Sequence, residues 1–486
     1  MRIDDDLKYF EEPEFKDILA KYEAAREAGT PMYMGADELT DVAEYYSLVM
    51  HDDDRASEAI ELALEIHPSA VDPQVFLARR FMMQGDLDKA QEICNAIEEQ
   101  ANREVLFLHA ELMLRRGNEK EAFTFLDRRI EEINEDRDFF IYDSAYIFVD
   151  YHLYDLALTL ANKLAEMAPD WYKTWQLQAD VNLGLGNNRV ALDYIEKMLD
   201  VDPFDVENWN WRAEAYSALG TYEKAFESTE YALAIEPHNE RALQLKAWVL
   251  MQQGNTSEAH HLYQRLEEMN PDCESHWLYD SYCLLDAEQV EQSRALIERA
   301  MELADGNSVD QQAIYEQYAQ VLSRMGDANG ALRQLDLAES CHEDNEWDER
   351  MLRARVYAEN GDMTSFDHEV ERQMNLYPDK DIRIYYQAAL ILFDYGYYER
   401  TFCSLEHFGT DERPEDLQAT GLELFSYLAY SALEIGHNDE ALYYLRKSID
   451  AGDAHLQELF AEKFPNVRVD ELYDYVYYQL NGRWPE

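Results

Sequence analysis

The sequence predicts an all-α fold, a solenoid of stacked helix pairs, and three periodicities predict it. Four prolines, Pro169, Pro203, Pro237 and Pro271, recur at an unbroken 34-residue step. Trp175 and Trp209 are one such step apart, and Gly186, Gly220 and Gly254 repeat with it. Ala191, Ala225 and Ala259 keep the same step. Self-similarity at this period marks an array in which each unit buries its apolar face only against its neighbours. The most regular stretch, 138–273, is the core of that array.

Taken in order, residues 3–28 read as an opening helix. Phe15, Ile18, Leu19 and Tyr22 recur at three- and four-residue steps with Phe10 ahead of them, and Gly29-Thr30-Pro31 stops them. Residues 1–36 therefore form an N-terminal cap over the first apolar face. Helix pairs then start near Asp37, Val71, Arg103 and Asp138, with turns at Gly85-Asp86 and Gly117-Asn118. The unit near Glu274 keeps Trp277, Ile297 and Ala300 but has Ser281, Ser293 and Asp305 at the small and proline positions. The array proper covers 37–305.

Extra residues around Gly306 and Asn307 open a looser array over 306–451. Its units carry Ala319, Gly326 and Ala331, then Ala354, Gly361 and Pro378, then Ala388 and Gly396, then Ala429, Gly436 and Ala441. The stretch 408–416, with Gly409 and Pro414, reads as a loop. Residues 452–486 read as closing helices, with Leu456, Leu459, Phe460, Leu472, Tyr475 and Val476 as their apolar face. The count is about twelve helix pairs between two caps.

Each recurring residue has a physical task. Small Ala179, Ala213 and Ala247 let the two helices of a unit approach closely, and Ala191, Ala225 and Ala259 match them on the second helix. Gly186, Gly220 and Gly254 end the first helix where a positive φ is needed. Each proline closes the second helix because it cannot continue the hydrogen-bond ladder. This set resembles the tetratricopeptide-repeat family, whose pattern runs Trp, Leu-Gly, Tyr, Ala, Phe and Pro. The resemblance implies a right-handed superhelix. Two departures are that Ala stands at the close-approach Gly position and Leu243 stands where Trp175 and Trp209 do.

Composition narrows the function. The chain has 486 residues, 47% of them hydrophobic, which excludes a disordered acidic tail. Its 42 basic and 101 acidic residues give a net charge of −59. Such a surface repels nucleic-acid phosphates and anionic lipid and favours a basic partner. Five scattered cysteines, Cys94, Cys273, Cys283, Cys341 and Cys403, fit buried thiols in a reducing compartment. The N-terminal Met-Arg-Ile-Asp-Asp-Asp lacks the apolar core of a signal peptide, and no run approaches the ~20 apolar residues of a membrane span. The expectation is a cytoplasmic protein with no membrane insertion and no nucleic-acid partner.

Chemical motifs dissolve on inspection. Gly184-Leu185-Gly186 lacks the third glycine and the preceding strand of a phosphate loop. Asp52-Asp53-Asp54 lacks the ligand alternation of a calcium loop and suits a helix start instead. His260 and His261 are adjacent on a helix and point apart, a poor metal pair. No nucleophile motif is present, and so many carboxylates make any single pair uninformative. No enzyme activity, cofactor or metal site is expected.

What remains is a binding wall, which the resemblance places on the first helix of each unit. Mapped onto this sequence, the wall contains Phe139, Tyr142, Tyr146, Lys173, Gln176, Asn210, Arg241, Gln244, Trp248, Leu278 and Tyr282. Further out it takes in Arg79, Arg115, Arg324 and Arg355. Aromatic, amide and basic side chains suit an extended peptide, and the competing use of the bases is pairing with acids of adjacent units. The two-lysine, two-asparagine clamp of some family members is represented only loosely, by Lys173 and Asn210. The expected function is a non-enzymatic scaffold or adaptor that binds an extended peptide or partner protein. The alternative is a peptide-sensing regulator whose superhelix changes conformation on ligand binding.

Overall fold

The computed structural model describes residues 9–28, 33–133, 135–304, 308, 310–341, 350–406, 424–453, 455–461, 463–465 and 467–485, and all regular structure among them is helical. By its internal contacts the chain divides into two compact units, 1–245 and 246–486.

The first unit opens with α1 (Pro13–Ala28), followed by α2 (Ala36–Leu48), α3 (Asp53–Ile66), α4 (Val71–Met83), α5 (Leu87–Ala96), α6 (Arg103–Arg115) and α7 (Glu119–Glu132). It continues with α8 (Arg137–Asp150), α9 (Tyr154–Met167), α10 (Tyr172–Gly184), α11 (Asn188–Val201), α12 (Val206–Ala218) and α13 (Tyr222–Ile235). After α14 (Glu240–Gln252) come α15 (Thr256–Met269), α16 (Glu274–Asp286), α17 (Val290–Leu303), α18 (Gln311–Arg324) and α19 (Ala328–Ser340). Next are α20 (Leu352–Glu359), α21 (Met363–Leu376), α22 (Asp381–Asp394), α23 (Tyr398–Glu406), α24 (Phe425–Glu434) and α25 (Asn438–Ala451). The described chain closes with α26 (Leu456–Ala461) and α27 (Val469–Asn481).

In the first unit α2–α3, α4–α5, α6–α7, α8–α9, α10–α11 and α12–α13 pack as hairpins. In the second, α16–α17, α18–α19, α20–α21, α22–α23 and α24–α25 do so. Helices α14 and α15 follow one another in chain order, so the described residues contain the helices of the expected dozen pairs. First helices of successive hairpins lie side by side, α2 on α4, α4 on α6, α6 on α8 and α8 on α10. That arrangement builds a wall from first helices alone.

The repeated residues act as their spacing implies. Gly186, Gly220 and Gly254 have φ of +72°, +67° and +77°. At the same register one step before and one step after, His152 and Glu288 hold that left-handed conformation with side chains, at +56° and +59°. Ala179, Ala191, Ala213 and Ala225 are fully buried where paired helices meet. The hairpin α16–α17 substitutes a polar seam: the hydroxyls of Ser281 and Ser293 lie 2.9 Å apart, and Gln317 Nε2 donates to Ser281 Oγ at 3.1 Å.

A further bond explains why tryptophan and proline recur together. The indole of Trp175 donates to the Pro169 carbonyl at 2.7 Å, that of Trp209 to Pro203 at 2.9 Å, and that of Trp277 to Pro271 at 3.1 Å. Each indole thus ties the start of one hairpin to the end of the last.

The opening helix departs from expectation. The periodicity places it over 3–28, but α1 begins at Pro13, after a short helical stretch at residues 9–11 and a bend at Glu12. Proline lacks the N–H that a continuous helix would use and is accommodated in a first turn. Residues 1–8 and Gly29-Thr30-Pro31 lie outside the described residues, as do Gly306, Asn307 and the loop at 408–416. Phe10, Phe15, Ile18 and Tyr22 are buried against Leu39, Val42 and Tyr46. At the other end Leu456, Phe460, Leu472 and Val476 join the core of α24 and α25.

Candidate functional site

In the first unit an open groove of about 740 Å³ runs across the first helices α2, α4, α6 and α8. Residues three and four apart share a helix face, and each helix sends such a set into it. Asp37, Asp41 and Glu44 come from α2, Asp72, Phe76 and Arg79 from α4. Glu104, Phe107, Glu111 and Arg115 come from α6, and Asp143, Tyr146, Ile147 and Asp150 from α8. Eight carboxylates therefore line the groove with two guanidinium groups over an aromatic and aliphatic floor, and one of the acids, Asp143, is paired with Arg103 of α6.

Both arginines are engaged. Arg79 forks onto Glu111 at 3.0 and 2.8 Å and reaches Glu104 at 3.3 Å. Burial opposes its charge, but Glu111 and Glu104 hold its pKa above the ordinary guanidinium range. Arg115 donates to the Tyr151 hydroxyl at 3.1 Å and lies over that ring. Partial burial pushes the Asp72 carboxyl up, with Glu104 and Asp37 adding repulsion. An acid whose neighbours already resist its charge is one that a cation would relieve.

Next to the groove an aromatic cluster spans α8 and α10. Phe139 meets Trp171 edge-on at 4.8 Å, and Tyr142 meets Tyr146 at 4.8 Å. The Tyr142 hydroxyl donates to Gln176 Oε1 at 2.9 Å. Lys173 Nζ sits 4.7 Å from the Tyr142 ring and 5.7 Å from that of Phe139. Of the wall residues read from the sequence, Phe139, Tyr142, Tyr146, Lys173 and Gln176 are thus brought together. Tyr146 joins this cluster to the acidic groove.

Two family models for the tetratricopeptide repeat match residues 177–240 and 217–279. Residues 177–279 are tetratricopeptide repeats. A third model, described as ChAPs (Chs5p-Arf1p-binding proteins), matches residues 76–198, the stretch holding much of the groove and the aromatic cluster. No curated protein sequence matches the chain. Among solved structures, a tetratricopeptide repeat protein from Parabacteroides merdae is 15% identical with a TM-score of 0.44, covering 55% of this chain and 99% of its own. A thermophilic tetratricopeptide-repeat protein of Thermus thermophilus is 19% identical with a TM-score of 0.34, covering 38% and 98%. The type IV pilus biogenesis factor PilW is 20% identical with a TM-score of 0.38, covering 43% and 94%.

The other wall residues have different surroundings. Asn210 is fully buried and donates to Asn239 Oδ1 at 3.2 Å and Glu207 Oε2 at 3.4 Å. Arg241 bridges Glu207 and Glu214, the latter at 2.6 Å, and Gln244 is half-buried. Lys173 and Asn210, the loose counterparts of a carboxylate clamp, are therefore held by rings and by neighbouring amide and acid groups. In the second unit Trp248 and Tyr282 are half-buried, while Leu278 is fully buried with Ile297 and Ile314. Leu278 is core rather than surface, because its position on α16 turns toward α17 and α18.

The outlying arginines are also paired, Arg324 with Glu359 and Arg355 with Asp394. Pairing with acids of neighbouring units, the competing use of these bases, describes Arg79, Arg241, Arg324 and Arg355. No helix among the described residues is long and apolar enough to cross a membrane.

Proposed function

We propose that this protein is a non-enzymatic adaptor that holds an extended, basic segment of a partner protein along the first-helix wall of 37–176. The observation that carries this is the groove of α2, α4, α6 and α8, where eight carboxylates line a surface whose arginines, Arg79, Arg115 and the Arg103 paired with Asp143, are all engaged. Lysine or arginine side chains of a ligand would find the field they need there. The Phe139, Tyr142 and Trp171 cluster would anchor an apolar or cationic side chain at one end, since amphipathic aromatics dominate binding hot spots. That the model matching 76–198 describes proteins named for binding other proteins supports a protein partner.

The test uses a fluorescein-labelled, lysine- and arginine-rich peptide and the full chain, with anisotropy as the readout. Asp37→Asn combined with Asp72→Asn should weaken binding several-fold at low salt, since exposed charges contribute about 0.2–1 kcal/mol each. Added salt should shrink that difference. Equal affinity of variant and wild type would remove the groove from the site.

A further inference from the structure

In the second unit α15 packs on α16, and an unusual set of polar groups is enclosed between them. Asp280, on α16, is only 1% exposed. Its Oδ1 lies 2.5 Å from His260 Nδ1 on α15. Its Oδ2 and the Oε1 of Glu267, also on α15, are both buried, and neither accepts a hydrogen bond from any N–H or O–H of the described residues. The two carboxyl groups instead face one another within hydrogen-bonding reach. His260 and Glu267, seven residues apart on one helix, lie on the same face and bracket Asp280.

Two acceptors in contact in a buried site lack the hydrogen that would join them. Either both are charged and repel, or one proton lies between them. Water is largely excluded, so repulsion would be poorly screened. The shared proton is the arrangement that satisfies both oxygens.

We propose that Glu267 and Asp280 form a proton-binding site, one proton held between two carboxyl groups, that links the packing of α15 on α16 to pH. Burial pushes Glu267 up to about 8, with Asp280 adding to it, and burial pushes Asp280 up to about 7. His260 and His261 on α15 act in the opposite direction. Of the other groups at this interface, burial pushes Cys283 up to about 12 and raises Tyr263 and Tyr279 as well, so they stay neutral. Helices α17 and α18, on the other side of α16, reach its buried face with uncharged Ser293 and Gln317. Arg324 of α18 acts on Asp286.

The direction follows from linkage. Both carboxyls titrate above the ordinary range near 4, so the folded unit keeps a proton that the unfolded chain has released. Stability from this site is complete below about pH 4, falls as pH rises, and levels off once the folded pair has let its proton go to water, above about pH 8.

The experiment compares urea unfolding of the full chain and Glu267→Gln across pH. The amide donates to Asp280 Oδ2 without needing a proton. The wild-type folding constant should therefore fall relative to the variant by about tenfold per pH unit between about pH 5 and 7. A ratio independent of pH overturns the proposal. Should Glu267→Gln fail to fold, the infrared carbonyl band of a protonated carboxyl in the wild type decides. A band that persists at about pH 6 and fades above about pH 8 supports the site, and its absence at about pH 6 refutes it.

Discussion

Glu288 occupies a glycine's place. It sits one 34-residue step after Gly254 and holds a left-handed backbone, φ +59°, at the turn between α16 and α17. Its amide donates to the Leu285 carbonyl at 3.0 Å, a bond that glycine would keep. For a residue with a Cβ this conformation costs roughly 1–2 kcal/mol. Glycine in its place gives back about 0.4–1 kcal/mol through the greater freedom of the unfolded chain. Glu288→Gly should therefore stabilise the second unit by about 1 kcal/mol. The reciprocal change is Gly254→Ala, where an added Cβ would meet nothing within 4 Å. Its cost is then backbone strain alone, again about 1 kcal/mol but of opposite sign. For a unit of this size each change corresponds to a shift of about 2–4 °C in the melting transition. Urea titration should show the midpoints moving apart with unchanged slope. If both substitutions destabilise, or neither moves the midpoint, the turn register has been misassigned.

Trp209→Phe keeps much of the apolar area but loses the indole donor to Pro203, and should cost about 1 kcal/mol in thermal unfolding. Ser281→Ala removes the buried acceptor of the Gln317 amide, while Ser293 keeps its 2.8 Å bond to the Ser281 carbonyl, and should cost about 1–3 kcal/mol. Adding Ser293→Ala recreates the alanine seam of the central hairpins, so the double variant should lose less than the sum of the single losses in a double-mutant cycle. Arg79→Ala leaves Glu111 and Glu104 facing one another. With a third of the side chain exposed, the loss should be about 1 kcal/mol, largely restored by Arg79→Lys at low salt.

The helix pairs were legible because their markers are chemically irreplaceable. Only glycine takes a positive φ cheaply, only proline ends a ladder by lacking a donor, and only a small residue lets two helices touch. Where a marker is substituted, as at His152 and Glu288, the fold persists and the spacing alone carries the reading. The bend before Pro13 shows the converse. Apolar periodicity runs through residues 10–22, and periodicity does not register a missing N–H.

The wall was legible as a face but not as a surface. Helical register identifies which residues point along the first helices, and it did gather Phe139, Tyr142, Tyr146, Lys173 and Gln176. It does not reveal that Asn210 lies beneath Glu207 and Asn239, or that Arg241 is spanned by two acids. The acidic groove at α2, α4, α6 and α8 left a signal in the four- and three-residue steps of Asp37, Asp41 and Glu44 and in the seven-residue step, two helical turns, from Glu104 to Glu111. Among 101 acidic residues that signal is diluted. The Glu267–Asp280 contact joins residues thirteen apart on different helices, and no local pattern marks it.

The indole braces bear on how such a chain grows. Each runs from a tryptophan to a carbonyl six residues earlier, so it is contained within one junction. A copied block that begins and ends at the same register carries its own junction with it. Duplicating residues 172–205 after 205 should give a longer protein with one more hairpin and an undisturbed fold, whereas an insertion of a few residues between a proline and its tryptophan should not be tolerated. Gene duplication in steps of 34 codons is then the cheap route to a longer wall, and a ligand of greater length can be met without redesigning any single repeat.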